Sequence, residues 1–278
     1  MVEAIKAWAK NADAGALACV PGVAVLALWL LRNSLGRTAL KDAPVRRNHV
    51  ALLAGGTLIC LLAWMMPPPI ILSVLRPLAH WTDWRSDLLA NVVMACTDLA
   101  TVVLVLVVAA MAFSRGLKGL GLRWTTIPRD AGAAVVNLLA VWPVLLAMVA
   151  LVLRIGELRY GPTYRMEQHK ELELFTTSHH LALQISVVVL AVAIAPAVEE
   201  LLFRGLIQSA FRSLTDRPWP AIFLSSTMFV VVHPNVEHWP ALFVLAVGMG
   251  YAYEKSGSLW RPIFIHALFN GLTILSNL

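Results

Sequence analysis

Eight apolar runs, each long enough to form a helix in or across a bilayer, occupy most of the 278-residue sequence. They lie at about 15–32, 49–66, 88–114, 131–153, 181–203, 219–233, 240–254 and 260–276. A helix needs roughly 17–25 apolar residues to cross the hydrocarbon core, because each residue adds only about 1.5 Å of rise. The runs are unbroken, not alternating, which argues against a transmembrane β-barrel. Composition agrees, with 59% AVILMFWYC, 14% charged residues and mean hydropathy +0.74; soluble domains have about 45–50% apolar and about 25% charged residues. These values exclude a soluble single domain, a disordered chain, a collagen and a disulfide scaffold. The expected fold class is all-α, a polytopic membrane helix bundle of about eight transmembrane helices.

The chain reads as one membrane domain over residues 1–278, without internal repeats or low-complexity segments. Gly55-Gly56 punctuates the second run and Pro67-Pro68-Pro69 closes it, while Asp98 interrupts the third. The longest polar connection is about 154–180. Lys6 and Lys10 followed by an apolar run from Ala16 imitate a signal peptide, and Ala16-Leu17-Ala18-Cys19 has a lipobox flavour. The apolar run follows Cys19, however, so this segment is expected to be the first membrane helix. Cys19, Cys60 and Cys96 lack CxxC spacing and read as small buried hydrophobes.

The net charge of +6 is topogenic, not a nucleic-acid footprint, since no dense basic run accompanies it. Loops after the first, third, fifth and seventh runs hold 14 of the 22 Lys and Arg residues, among them Arg32, Arg37, Arg46, Arg47, Arg115, Arg212 and Arg217. The opposite side holds 8. The positive-inside rule then places both termini outside the cytoplasm. The expected setting is a bacterial plasma membrane, with the lipid bilayer as the first partner and no nucleic acid.

Glu199, Glu200 and Arg204 interrupt the fifth run. A charge at a helix centre costs about 2.5–3.5 kcal/mol on insertion scales, so these groups must face protein or water. Taken alone, they also fit the snorkelling end of a helix. Glu200 and Arg204 are four residues apart with the acid first, the favoured order for an ion pair. Glu199 lies about 100° round the helix from Glu200, which leaves it free for chemistry while Glu200 looks structural. His233 precedes Pro234, so the sixth helix should stop there. Counted from the turn between the fifth and sixth helices, Glu199 and His233 both fall roughly 18–21 Å away, at one depth. In the last run, Pro262 suits a first turn. His266 and Asn270 share one face at i,i+4, and Thr273 and Asn277 continue the stripe.

Glu-Glu-x-x-Phe-Arg at 199–204, Phe-x-x-x-His at 229–233 and His-x-x-x-Asn at 266–270 resemble, in order and spacing, the three motifs of the CPBP family. This is the group of CAAX-processing and bacteriocin-processing intramembrane endopeptidases, also called ABI. The resemblance covers residues 181–278, with a softer likeness at Gly119-Leu120-Gly121-Leu122-Arg123; residues 1–130 otherwise form N-terminal helices without a recognised motif. It implies hydrolysis of a peptide bond by water that Glu199 and His233 activate. His266 and Asn270 would stabilise the oxyanion, and Glu200 and Arg204 would hold the helix and orient Glu199. The implied partner is a peptide or protein substrate, read at its C-terminus or through a lipid modification. No cofactor is expected. Zinc is the chemical alternative, bound by Glu199, His233 and His266, although the chain has no HExxH and His179-His180 is adjacent. The metal-free reading is preferred because Asn270 suits an oxyanion donor. The competing functional classes are a non-catalytic membrane scaffold or immunity protein of the same family and, ranked lower, a transporter, for which Asp98 and Pro196 would be the relevant features.

Overall fold

A computed structural model describes residues 14–32, 39–167 and 170–276. Lys6, Lys10, Arg37 and Asn277 lie outside the described residues. Helices α1 (Ala14–Leu31), α2 (Val50–Met65), α3 (Pro67–Ala79), α4 (Trp84–Ala112), the short α5 (Leu117–Leu120) and α6 (Ile127–Tyr160) form the first half. Helices α7 (Lys170–Thr177), α8 (Leu181–Thr215), α9 (Pro218–Val231), α10 (Trp239–Ser256) and α11 (Trp260–Leu275) complete it. Among the described residues the structure is helical, with one isolated bridge between Asn48 and Phe113.

The side-chain distribution is that of a membrane protein. On α4, Val103, Val107 and Met111 form an exposed apolar stripe at four-residue spacing, while Asn91, Thr97, Asp98 and Thr101 are buried. Leu58, Ile59 and Leu62 of α2 and Ile155 and Leu158 of α6 are likewise exposed, and Asn137 of α6 is buried. Such apolar faces are stable only against lipid, and the polar groups turn inward where partners exist. The Trp64 indole donates to Asp98 at 3.1 Å, Asn91 to the Ser186 hydroxyl at 2.9 Å, and Arg261 to Asp130 at 2.9 Å. Each bond joins two different helices.

Four stretches among the described residues are long and apolar enough to cross a bilayer: Val50–Ala79, Trp84–Ala112, Leu117–Tyr160 and Leu181–Thr215. A helix lies along each of the eight expected runs, and four of them are borne out as candidate spans. Helix α9 is shorter. The 14 residues of α9 extend roughly 21 Å, against about 30 Å of hydrocarbon.

Several details depart from expectation. Pro67-Pro68-Pro69 does not close the second apolar segment but starts α3, because proline is tolerated in the first turn, where its missing N–H costs nothing. The polar connection 154–180 is partly helical: α6 continues to Tyr160, and α7 occupies Lys170–Thr177. Cys60 is buried as expected and Cys19 half-buried, but Cys96 is exposed, on a helix whose outer face is apolar.

Helix α8 is the hub, packing against α2, α4, α9, α10 and α11. Val198, Leu202, Phe203 and Leu206 of α8 join Phe229 of α9 and Leu245, Ala246 and Met249 of α10 in one core. The loop after α5 is keyed to the α10–α11 turn. Tyr253 donates to the Leu120 carbonyl at 2.8 Å and the Leu259 amide to Gly121 at 3.2 Å. Gly121 sits at φ 100°, and a Cβ there would lie 2.6 Å from the Gly257 carbonyl oxygen. Gly121→Ala is expected to destabilise the protein by about 1–3 kcal/mol. Gly132→Ala, with nothing within 4 Å of its Cβ, should be neutral or stabilising by up to about 1 kcal/mol. Thermal unfolding of both variants in detergent checks the contrast.

Candidate active site

Helix α8 is not a uniform α-helix. Leu190–Ile194 and Leu201–Gln208 are π-helical, on either side of the α-helical Ala195–Glu200. Pro196 explains part of this. In the first π-turn the Ala195 N–H bonds the Leu190 carbonyl five residues back. The next carbonyl in that register, Ala191, would take its bond from residue 196, which has no N–H. Asn270 of α11 supplies the donor instead, its amide nitrogen lying 2.8 Å from the Ala191 oxygen. A side-chain amide thus replaces the bond that proline removes, and fixes α11 to α8 about two turns before Glu199. The second Asn270 N–H remains available to a further acceptor.

Glu200 and Arg204 pair at 2.7 Å, both essentially buried. The same carboxylate oxygen, Oε1, also accepts from Nδ1 of His266 at 2.9 Å. Glu200 therefore orients a ring of the site itself as well as the arginine. Arg204 donates further to the Ala246 carbonyl at 3.2 Å and lies 4.6 Å from the centre of the Phe229 ring. Phe229 also contacts both histidine rings, with centroids 4.6 Å from His233 and 5.8 Å from His266.

His233 follows the end of α9, where Pro234 stops the helix. Its Nδ1 lies 2.7 Å from the Phe229 carbonyl. A carbonyl can only accept, so Nδ1 carries the proton and a neutral ring leaves a lone pair at Nε2. The Trp239 indole donates to the His233 carbonyl at 3.0 Å, fixing the turn from the other side.

Glu199 is half-buried, with Oε2 sealed and without a partner. It lies within electrostatic reach of His266, His233, Glu200, Arg204 and Asp98. The structure therefore gathers Glu199, Glu200, Arg204, His233 and His266 into one constellation, with Asn270 one turn further along the His266 helix. Thr273 bonds back to the Phe269 carbonyl at 2.9 Å and belongs to its own helix. Asp98, which sequence spacing does not connect to the motifs, is the contribution of the N-terminal half. It was visible as a bare carboxylate in a 29-residue helix. The Glu200–His266 bond joins residues 66 apart, and no local pattern announces it.

Among the described residues no three His, Cys, Asp or Glu side chains converge as a metal-binding set. Glu199, His233 and His266 are not gathered as one ligand set in this arrangement. Glu200 and the Phe229 carbonyl each hold a histidine ring through Nδ1, which leaves both Nε2 atoms free.

A half-buried carboxylate with one sealed, unpartnered oxygen thus lies beside two oriented imidazoles inside a helical membrane bundle. Residues 181–272 match the family model for the type II CAAX prenyl endopeptidase Rce1-like proteins, and all three motifs lie inside that stretch. The chain is similar to the "Putative membrane peptidase YdiL" of Bacillus subtilis (strain 168), at 24% identity over 91 residues, 33% of this chain and 37% of that protein. The match therefore spans little more than a third of the relative's length. No solved structure matches the chain.

Two stability predictions separate the roles of these groups. Glu200→Gln should cost about 3–5 kcal/mol, because it leaves Arg204 buried without its counter-charge. Glu199→Gln should leave the melting midpoint unchanged or higher, since no partner is lost. Asn270→Ala should cost about 1–3 kcal/mol by orphaning the Ala191 carbonyl. That loss should shrink in a Pro196→Ala background, where a backbone N–H returns. A double-mutant cycle of detergent melting curves measures both effects.

Proposed function

We propose that the protein is an intramembrane endopeptidase that hydrolyses a peptide bond with water activated by Glu199 and His233. The observation that carries this reading is the unpartnered, buried Glu199 oxygen in the field of two histidines whose Nδ1 atoms are already committed. Carboxylate and imidazole are the groups able to take a proton from water near neutral pH. The Glu199 carboxylate takes the proton, and the lone pair at His233 Nε2 aligns the same water. The hydroxide equivalent attacks the scissile carbonyl carbon, and Glu199 returns the proton to the departing amine.

The tetrahedral oxyanion requires donors already in place. His266 is held by Glu200 through Nδ1, which leaves Nε2 as its free ring nitrogen, and a proton on that atom would make it a donor to the oxyanion. Asn270 adds its second N–H. The similarity to Rce1-like endopeptidases and to a membrane peptidase supports the same class of substrate, a peptide bond presented at or within the bilayer.

The test is cleavage of a peptide library by purified protein in detergent or proteoliposomes. Glu199→Gln is expected to lose about 10²–10⁴ in rate, and His233→Ala a similar factor, with both proteins folded. Activity should survive exhaustive dialysis against a strong chelator. A Glu199→Gln protein as active as wild type rejects the mechanism. Loss on chelation that zinc alone restores makes the three groups metal ligands.

A further inference from the structure

A second polar site lies at the other end of α8, about 20 Å from Glu199 by helical rise. The loop before α2 and the last turns of α8 enclose a cleft of about 250 Å³ lined by Arg46, Arg47, Asn48, Arg212, Ser213 and Asp216. Three arginines and one aspartate line it, and Arg46 is paired with Glu254. The aspartate, Asp216, is 95% exposed, so its 3.1 Å pair with Arg212 is weakened by solvent. Arg212 is only 12% exposed.

Arg46 is fixed from behind. Its Nη1 donates to Glu254 at 3.1 Å and its Nη2 to the Tyr253 carbonyl at 2.9 Å, and its guanidinium lies 3.7 Å from the Tyr253 ring centre. The residue is more than nine-tenths buried, yet its Nε finds no acceptor in the protein. The Nε of Arg212 is equally buried and equally without an acceptor. Two orphan N–H donors on charged groups at one cleft are costly unless an acceptor completes them. Helix α2 begins at the same place: Val50 lines the cleft, and its N-cap, His49, offers no side-chain cap to the first amides. Arginine forks and a helix N-terminus both favour a tetrahedral oxyanion.

We propose that this cleft binds a phosphate group, carried on the headgroup of an anionic phospholipid or free in solution. The site is independent of the hydrolytic reading. Val45 and Val50, both exposed, line the same cleft, so apolar surface adjoins the basic groups, which is the pairing an interfacial lipid requires. The cleft also lies on the face that the charge bias assigns to the cytoplasm, where anionic lipid attracts basic groups.

The experiment uses the full chain in detergent. Native mass spectrometry reads retention of phosphatidylglycerol against phosphatidylcholine, and thermal unfolding reads the shift caused by inorganic phosphate. Wild type should retain phosphatidylglycerol preferentially, and Arg212→Gln should reduce that preference about tenfold. Arg47→Gln, at an exposed position, provides the same readout if Arg212→Gln does not fold. Arg123→Gln, exposed but away from the cleft, should keep the preference. A shift by inorganic phosphate that Arg212→Gln abolishes, without lipid preference, identifies a soluble source for the same site. No preference and no phosphate shift in wild type overturn the proposal. So does a preference that survives both cleft variants, or one that Arg123→Gln loses equally, since diffuse surface charge would then explain it.

Discussion

One carboxylate oxygen organises the C-terminal half of this protein. Glu200 Oε1 accepts from Arg204 on its own helix and from His266 on α11. Through Arg204 it reaches the Ala246 carbonyl of α10 and the Phe229 ring of α9. Four helices therefore meet at a single acceptor. In a bilayer this follows from desolvation. A buried charge is tolerated only with its counter-charge and hydrogen-bond partners in place. The bond that lets Glu200 be buried also sets the angle of the His266 ring.

The Thr215 end of α8 repeats the device with the polarity exchanged. Here the acid belongs to α10 and the arginine to the loop before α2. Glu254 Oε1 accepts from Arg46 at 3.1 Å and from Gln208 of α8 at 3.0 Å. Helix α8 is thus pinned at two depths by charged networks, with apolar packing between them. Few degrees of freedom remain for the residues it carries. Glu199 stands next to the first pin and is not consumed by it, which leaves a rigidly held but unpaired carboxylate.

Local physics made much of this legible in the sequence. Runs of apolar residues located eight of the helices, but not α3, the short α5 or the polar α7. Pro234 stopped α9 near His233, and the i,i+4 spacing of Glu200 and Arg204 paired them. What remained hidden depends on tertiary contact. Residues 46 and 254 are 208 positions apart, and no pattern in a window of a dozen residues connects them. The triple proline was misread because its rule is positional, disruptive inside a helix and neutral at its first turn. Asn270 was read from its helix face as a donor to substrate. Its other obligation, the Ala191 carbonyl, appears only once α8 is seen to be π-helical.

Those π-turns have a consequence for how the site tolerates change in chain length. Each π-turn closes its hydrogen bonds one residue later than an α-turn, so it stores an additional residue without lengthening the helix in proportion. Helix α8 is in this sense a dial with two detents, and Glu199 sits between them. Deleting one residue from Leu190–Ile194 would let that turn relax to α geometry while Glu199, Glu200 and Arg204 keep their phase, whereas the same deletion in a purely α-helical stretch would turn everything beyond it by roughly 100°. A change of one residue is thus absorbed at the bulge, and Glu199 keeps its bearing toward α9 and α11.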